Sequence, residues 1–442
     1  MAIISQQALF RWQEIEELGD LERLQLLVEN FPDEPLMREL ELRRGNGRND
    51  YPLRPLWNSF LAGMVFQHGS IESLRRELQR NGQLRQVCGF DVCRGLGAVP
   101  PSYVYTRFLK LLFSCREQVD QMFTDLVTEL QELLPDFGNI LAIDGKAIDS
   151  HGKPRGDKAD NTSDGRRDVD ANWGAKTYKG KRNDGTSWSK TKYWFGYKLH
   201  LIADATYELP VAYSLTKASA SEQPTGLAMM KDLAGEQPGL ISNCEYLLGD
   251  KGYDDTKYHT RLWDGKYKIK SVIDIRNQWN DGEDERIVTG CQNVTYDYCG
   301  NVYCYCMKTG RRQEMSYGGF EKDRDCLKYR CPAKHYGLKC KSLGSCKVGH
   351  SVRIKLSEDR RVFTPVARSS YLWKSLYKMR TSVERINGRL DTSFGFEDHY
   401  IRGQSKMELR VGLSLIVMLA MAVGRIRQKR PELMRSLVGD AV

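Results

Sequence analysis

Apolar residues recur every three or four positions over roughly the first 135 residues, and this spacing predicts a helical region. The first predicted helix carries four leucines at this spacing, Leu18, Leu21, Leu24 and Leu27. A second apolar helix is expected over residues 56–66. Later short helices carry four arginines, Arg75, Arg76, Arg80 and Arg107. These arginines leave two interpretations open, a helix-turn-helix-like DNA reader and a helical bundle with a solvated basic face.

Hydroxyl and carboxyl side chains mark where several of these helices begin. Ser70 is predicted to cap a helix that continues to residue 79, and Ser102 is predicted to cap the next one. Ser114 and Glu117 have the spacing of a capping box. They predict a longer helix that stops before Pro135, since proline cannot continue a helix.

After residue 139 the pattern changes to β-rich runs joined by short polar connections. Strands are predicted over residues 139–144, 193–204, 209–219, 245–250 and 269–276. Helices are predicted over residues 225–233 and 257–263. Three strands followed by alternating helix and strand indicate a mixed α/β sheet. Beyond it the periodicity becomes irregular and cysteine-rich, and strong helical patterns return over residues 366–390 and 405–427.

Charge and composition exclude some classes of protein. The chain has 67 Lys and Arg against 57 Asp and Glu, and the resulting net charge of +10 suits a polyanionic partner. Its 40% hydrophobic content excludes wholesale disorder. The longest apolar run, residues 412–424, is too short to span a bilayer and predicts a buried helix. With no signal peptide pattern at the start, we expect a cytoplasmic protein with reduced thiols, outside the membrane.

Eight of the twelve cysteines fall between residues 291 and 346. Clustering of this kind in a reducing compartment is compatible with a tetrahedral structural zinc site. It is equally compatible with unliganded thiols in a β-ribbon. The candidate zinc ligands are Cys299, Cys304, Cys306, Cys326, Cys331, Cys340 and Cys346.

Three carboxylates are the candidates for catalysis. Asp144 and Asp250 each follow a run of apolar strand residues, at the strand edge where α/β sheets bind ligands. Glu384 shares a helical face with Tyr377 and Arg380, because the three are spaced i, i+3 and i+7. Converging carboxylates are hard oxygen ligands that suit Mg²⁺ or Mn²⁺, and two such ions about 4 Å apart support phosphoryl transfer. Taken alone, each of the three is more typical of a strand-end turn or a helix surface, whereas the three together, on two strands and a helix, favour a catalytic set.

At these residues the sequence resembles the DDE transposases of bacterial insertion sequences, specifically the insertion-sequence-four-like group. LAIDGK around Asp144 and LGDKGYDD around Asp250 are similar to the family's two aspartate strands. The third family motif has a tyrosine, then an arginine three residues on, a glutamate four further and a lysine seven further. Tyr377, Arg380 and Glu384 match its first three positions. Residues 54–78 also resemble the family's helical N-terminal region.

The resemblance implies an α/β fold with a ribonuclease H-like mixed-sheet catalytic core, a helical N-terminal domain and a mainly β, cysteine-rich insertion. The expected boundaries are residues 1–135 for the helical DNA-binding domain, 136–280 for the first part of the core, 281–365 for the insertion and 366–442 for the C-terminal helices of the core.

The resemblance also implies metal-dependent cleavage at the ends of a mobile element and strand transfer into target DNA. Asp144 would bridge two Mg²⁺ or Mn²⁺ ions, with Asp250 and Glu384 holding one each. The implied partners are double-stranded DNA, both terminal inverted repeats and target, and a second copy of the chain in a dimer or larger assembly. In a bacterial cell the protein would associate with the nucleoid. No phosphate-binding loop is present, so ATP is not expected to take part.

Contacts with DNA are implied for the third motif. Arg380 and Tyr377 would touch phosphate or terminal DNA. Asp391 stands where the family has its lysine, and Arg385 or Arg389 would substitute for that missing cation.

A polar stretch over residues 149–192 interleaves lysines and arginines with aromatic residues. Two interpretations remain open. The basic residues would track phosphates while the aromatic rings stack on bases, or the stretch is a solvated loop whose rings fold back on the core.

Two other functions fit the same motifs. One is a domesticated, catalytically inactive DNA-binding protein, and the other is a ribonuclease H-like nuclease that cuts without joining. The three carboxylates argue against the first, whereas Asp391 favours it.

Overall fold

The computed structural model describes residues 17–45, 50–152, 154, 168–182, 184 and 186–437. Helices fill the N-terminal region, as the apolar spacing predicted. Their bounds are α1 (Leu21–Asn30), α2 (Glu34–Arg44), α3 (Leu53–Val65), α4 (Ile71–Arg80), α5 (Gly82–Cys88), α6 (Ser102–Phe113) and α7 (Arg116–Leu133).

Of the three predicted helix caps, one is confirmed. The Ser70 side chain accepts a hydrogen bond from the Ser73 amide and begins α4. The other two predictions were wrong. Ser102 is the first helical residue of α6, after Pro101, and makes no cap. Ser114 donates its hydroxyl to the Leu111 carbonyl at 2.6 Å, so it closes α6 instead of opening α7.

The central sheet has the predicted mixed topology. Its strands are β1 (Ile140–Asp149), β2 (Asn172–Lys181), β3 (Ser187–Asp204), β4 (Leu209–Lys217), β5 (Tyr246–Gly249) and β6 (Lys270–Ile273). β4, β3 and β1 are antiparallel neighbours, and β5 and β6 continue from β1 in parallel. This order, three antiparallel strands followed by two parallel ones, is that of a ribonuclease H-like sheet. The connecting helices are α8 (Glu222–Glu236), α9 (Pro238–Asn243) and α10 (Thr256–Trp263).

β2 forms part of the polar stretch that precedes β3. It pairs with the N-terminal half of β3, from Asn172 opposite Gly196 to Lys181 opposite Ser187. The solvated-loop interpretation was therefore wrong for residues 172–181. Residues 155–167, which carry part of the basic stretch, lie outside the described residues.

A second, antiparallel sheet occupies the cysteine-rich region. Its strands pair in chain order: β7 (Glu285–Ile287), β8 (Val294–Asp297), β9 (Val302–Tyr305), β10 (Arg312–Glu321), β11 (Cys326–Arg330) and β12 (Ser351–Lys355). A short helix, α11 (Pro332–Tyr336), follows β11. This sheet has a hydrophobic core of its own, separate from the main one.

The C-terminal helices return the chain to the central sheet. They are α12 (Tyr371–Met379), α13 (Thr381–Phe394) and α14 (Gln404–Arg427). The prediction of one helix over residues 366–390 was wrong at its start and middle. Ser370 caps α12, accepting from the Trp373 amide. At Arg380 the backbone hydrogen bonds tighten to i→i+3 spacing, which separates α12 from α13.

α14 is the helix around which the main core is built. In the part of the chain that the structure describes, α14 is the helix long and apolar enough to cross a membrane, and 89% of its apolar window is buried inside the protein. It packs against α7, α1 and β4. A methyl group at Gly424 would lie 2.7 Å from the Leu26 side chain, so α14 and α1 need a glycine there. The predicted buried helix is confirmed.

Candidate active site

Two aspartates meet where the parallel strands β1 and β5 run side by side. Ile143 lies opposite Gly249 in the register, so Asp144 and Asp250 follow at equivalent positions on neighbouring strands. β5 ends there, while β1 continues along β3. Asp250 is fixed by the Gly252 amide, which donates to its Oδ1 at 2.7 Å. Strand pairing therefore places the two carboxylates together, as the sequence predicted.

The environment of Asp144 disfavours its negative charge. Burial, followed by the negative charge of Asp250, raises the pKa of this carboxyl to about 6. The nearby cations Lys176 and Arg380 oppose that rise. Because two neighbouring carboxylates repel each other, a nearby cation stabilises both in their charged form.

Glu384 lies in the first turn of α13 and is held by an arginine. Arg380 Nη2 donates to Glu384 Oε1 at 2.7 Å, and the Glu384 side chain is 49% exposed. The Arg380 charge also acts on Asp144. Arg380 therefore interacts with both Glu384 and Asp144, and Glu384 is not clustered with the two aspartates.

Tyr377 also lies beside the aspartates. Its ring stacks on Trp373 with centroids 4.6 Å apart, and the Arg380 guanidinium lies 5.7 Å from its ring centre. Burial raises the pKa of the Tyr377 hydroxyl, and Asp274 and Asp250 add to that rise. Two of the four predicted DNA-contacting residues, Tyr377 and Arg380, are therefore near the aspartate pair.

The other two, Arg385 and Arg389, are bound elsewhere. Arg385 Nη2 pairs with Glu208 Oε1 at 2.8 Å, in the turn between β3 and β4. Arg389 donates to the Glu208 carbonyl, and burial lowers its pKa to about 10. This turn follows Asp204, which pairs with Leu141 at the start of β1. Both arginines therefore bind the turn between β3 and β4, at the end of β1 away from Asp144.

The position of the missing family lysine is occupied by an ion pair. Lys146 Nζ, two residues after Asp144 on β1, donates to Asp391 Oδ2 at 2.6 Å. The other oxygen of Asp391 is buried and makes no hydrogen bond within the described part of the chain. The cation at this place thus comes from β1, whereas α13 supplies the carboxylate.

A fourth carboxylate, Glu222, lies between the two aspartate segments. It is the first residue of α8, and its Oε1 is 3.6 Å from Lys198 Nζ. Its oxygens lie 3.2 Å from where a side chain would begin at Gly145 and 2.0 Å from the same point at Gly252. Sequence reasoning missed Glu222. No sequence spacing indicated it, because α8 brings Glu222 to the aspartates only through the tertiary fold.

The same three acids, Asp144, Asp250 and Glu222, raise the pKa values of both Lys176 and Tyr253. Although burial works against its charge, the pKa of Lys176 is raised by Asp144, Asp250 and Glu222. Tyr253 is fully buried, and its hydroxyl has no hydrogen-bond partner among the described residues. Burial raises the pKa of that hydroxyl, with smaller contributions from Tyr258, Glu222, Asp144 and Asp250.

A polar cleft of about 380 Å³ opens next to these acids. Four lysines line it: Lys146, Lys176, Lys192 and Lys198. Lys176 and Lys192 lie directly opposite each other on β2 and β3. Like charges at opposed positions destabilise a sheet, so a bound anion would relieve their repulsion.

Residues 135–420 match the family of transposase DDE domains. The chain belongs to this family. The match covers both sheets and all of the predicted carboxylates, from Asp144 to Glu384.

Comparison with solved structures finds a cryo-EM structure of a piggyBac transposase synaptic complex with hairpin DNA. It is 11% identical, with 97% of this chain and 80% of that chain covered and a TM-score of 0.37. No curated protein matches the chain.

The family generally uses divalent metal ions, and the aspartate pair fits such an ion. Mutual repulsion at Asp144 and an unpartnered buried hydroxyl at Tyr253 are features that a bound cation would relieve. Within the described ranges, no group of three or more His, Cys, Asp or Glu side chains is already gathered as a metal site. Neither Glu384 nor Glu222 is therefore gathered with both aspartates in a ready three-ligand site.

The β2–β3 hairpin presents aromatic rings to solvent beside the cleft. Trp173 is 54% exposed and Tyr193 is 66% exposed, whereas Trp194 is buried and donates its indole N–H to the Tyr197 carbonyl. The interpretation in which the rings fold back on the core was wrong for Trp173 and Tyr193, and Trp194 is buried against Gly174 of β2, where it lines the cleft.

The seven candidate zinc ligands separate into two groups. Cys304, Cys306, Cys331, Cys340 and Cys346 line one small cavity of the second sheet. Cys326 is buried on β11, with its sulfur 3.8 Å from Glu321, and Cys299 follows Asp297 in the turn after β8; neither lines that cavity.

Proposed function

We propose that this chain is a DNA transposase of the insertion-sequence-four-like group, which cuts DNA at the ends of a mobile element and joins the freed end to target DNA. The observation that carries the proposal is the pairing of Asp144 with Asp250 on adjacent parallel strands within a transposase DDE domain. In the first step, water attacks phosphorus and the 3′ oxygen leaves as a hydroxyl. In the second, that hydroxyl attacks a target phosphodiester and displaces another 3′ oxygen, so no ATP is consumed.

Asp144 and Asp250 would hold the divalent ions, Mg²⁺ or Mn²⁺, that the reaction uses. When bound, such ions activate the attacking oxygen and neutralise charge on the leaving one. Asp144 and Asp250 are suited to this role because their strands fix them and their repulsion favours cation binding.

Arg380 would link DNA binding to assembly of the site. Its guanidinium holds Glu384 in the absence of DNA. A DNA phosphate would compete with this half-exposed carboxylate for the arginine, since a guanidinium forms paired hydrogen bonds with either anion. Phosphate binding at Arg380 and Tyr377 would release Glu384 to complete the ligand set.

Glu222 would serve beside the aspartates as a further carboxylate. At the start of α8, its carboxylate oxygens lie against Gly145 and Gly252, glycines of the two segments that carry Asp144 and Asp250. Its pairing with Lys198 also places a cation at the cleft entrance.

The DNA would approach along the lysine-lined cleft and the β2–β3 hairpin. Lys176 and Lys192 would contact the backbone, since phosphate contacts supply most of the affinity of such interfaces. Trp173 and Tyr193 would stack on bases that leave the duplex near the cleavage point. The arginines of α4 belong to the proposed N-terminal DNA-binding domain, although Arg75 and Arg80 are paired with Glu72 and Glu77.

The test uses a donor plasmid carrying the genomic DNA that flanks this coding sequence, a target plasmid and Mg²⁺. Terminal repeats in that DNA are the expected substrates, and two ends joined together require at least a dimer. Joined products support the proposal. Nicks without joining indicate a nuclease, and binding without cleavage indicates an inactive DNA-binding protein; either result contradicts the proposal. Asp250→Asn should bind DNA and do neither reaction, whereas the exposed Asp232→Asn should behave as the wild type.

A further inference from the structure

The second sheet contains a cavity whose walls are unusually rich in sulfur. Five cysteines surround a space of about 20 Å³: Cys304, Cys306, Cys331, Cys340 and Cys346. They come from β9, the turn after it, the N-terminus of α11 and the irregular segment that leads to β12. Residues up to 42 positions apart in sequence therefore converge on one point (Cys304 to Cys346).

Cys306 lies in a tight turn at the wall of this cavity. Its carbonyl accepts the amides of Thr309 and Gly310, which folds residues 306–310 back on themselves with Gly310 at a φ of 65°. The Ser342 hydroxyl is 3.3 Å from the sulfur. The Lys308 amide donates to the same hydroxyl at 3.1 Å, so this turn and the segment around Ser342 are held together beside the Cys306 sulfur.

Cys340 repeats the arrangement from the other side of the cavity. The Leu343 amide donates to the Cys340 carbonyl at 3.3 Å, and this turn contains Ser342, whose hydroxyl lies beside the Cys306 sulfur. The Asn293 side-chain amide donates to the Cys346 sulfur at 3.6 Å. Polar groups therefore already face the sulfur atoms of Cys306 and Cys346.

Packing explains only part of the order of the segment around Cys340 and Cys346, in which Val348 contacts the core of the second sheet. Residues 337–350 contain no helix or strand. Its larger apolar residues are partly in solvent, with Leu338 48% and Leu343 43% exposed. None of the five cysteines belongs to the buried core of the second sheet, although Cys304 packs against it. A cross-link at the cavity would supply the missing stabilisation.

We propose that this cavity binds one structural Zn²⁺ through four of the five thiolates, with Cys306 and Cys340 among the four. Zinc sites of this kind are tetrahedral, with sulfur about 2.3 Å from the metal. The side chains are not gathered at that distance, so binding involves rotation about their Cα–Cβ bonds. Thiol protons displaced by the metal pass to solvent. Cys299 and Cys326 take no part.

The test is metal analysis of the full chain purified under reducing conditions without a metal-affinity tag. We expect about one zinc per chain in the wild type and in Cys326→Ser and Cys299→Ser. Cys306→Ser and Cys340→Ser should each lose most or all of the bound zinc. Because those two variants risk misfolding, the wild type is also exchanged into Co²⁺. Intense thiolate-to-cobalt absorption with tetrahedral ligand-field bands is expected.

Two outcomes overturn the proposal. One is a wild-type chain that carries no zinc and gives no thiolate-to-cobalt band. The other is loss of zinc from Cys326→Ser or Cys299→Ser to the same extent as from Cys306→Ser. Neither bears on the aspartate site, since DNA cleavage is measured separately.

Discussion

The Asp144 carboxylate is destabilised in the metal-free protein by burial and by Asp250. Its pKa lies above the ordinary 3.8, at about 6, so the folded protein binds this proton more tightly than the unfolded chain does. The stabilisation that this proton provides is complete below about pH 4 and is lost as the pH rises through about 6.

Asp144→Asn should therefore stabilise the metal-free protein near pH 7 while abolishing DNA cleavage, because the amide removes the repulsion but is a poor metal ligand. The measurement is the urea midpoint of unfolding between pH 4 and 8, with Asp232→Asn as control. Mg²⁺ should raise the midpoint of the wild type and leave that of Asp144→Asn nearly unchanged. If the unfolding midpoints of the wild type and of Asp144→Asn changed with pH in the same way, Asp144 would not be the carboxyl whose pKa is raised.

Glu222 provides a second test at the scale of one residue. If it helps to hold the cation, Glu222→Gln should weaken Mn²⁺ binding by about 10- to 100-fold, a size typical of losing a group that supports a metal site. Calorimetric titration of the DNA-free protein measures this without reference to activity. Glu236→Gln, at the other end of the same helix, is the matched control. Equal Mn²⁺ affinity in the two variants would restrict Glu222 to its ion pair with Lys198.

Helices and strands differ in how well local sequence predicted them. The main helices and β1, β3, β4, β5 and β6 follow from apolar periodicity because each buries one face or is wholly buried. β2 was missed because its residues are polar and exposed, and it is held by backbone pairing to β3. Glu222 could not be found from sequence spacing, because α8 brings it to the aspartates only through the tertiary fold.

The contact between β1 and α13 is testable through the Lys146–Asp391 pair, whose side chains are only 14% and 22% exposed. Lys146→Ala and Asp391→Ala should each destabilise the protein, and a double-mutant cycle should give a coupling of about 1–3 kcal/mol, more than an exposed pair contributes. Chemical unfolding measures all four proteins. The exposed pair Arg286–Asp281, at 40% and 46%, should couple by less than about 1 kcal/mol. Coupling no larger than in that control would mean that the pair does not hold α13 to β1.

Across the whole molecule, the net charge of +10 indicates less about function than the positions of the charged residues do. Lysines line the cleft, and the carboxylates proposed to bind metal lie next to it. The N-terminal helices, the central sheet and α14 share one hydrophobic core, which apolar patterning predicted only as separate pieces. The second sheet has its own core and is joined to the first by ion pairs.

The strongest of these joins is the pair between Asp254 and Arg361, both buried, with Nη2 2.7 Å from Oδ2. Despite burial, the His259 ring 3.5 Å away and hydrogen bonds from Arg361 and the Arg276 amide hold the pKa of Asp254 well below its ordinary value. Asp254→Asn leaves the Arg361 charge without a full partner, so a loss of about 3–5 kcal/mol is expected. Asp264→Asn breaks the more exposed pair with Arg360 between the same regions and should cost less.

Hydrogen exchange measured by mass spectrometry locates the effect. In Asp254→Asn, amides of β7–β12 and residues 359–368 should exchange faster, while those of α14 keep their wild-type protection, because the two sheets have separate cores. The Asp264→Asn profile should remain close to that of the wild type. If α14 lost protection together with β7–β12, the two cores would unfold as one unit, and the second sheet would be an integral part of the transposase domain.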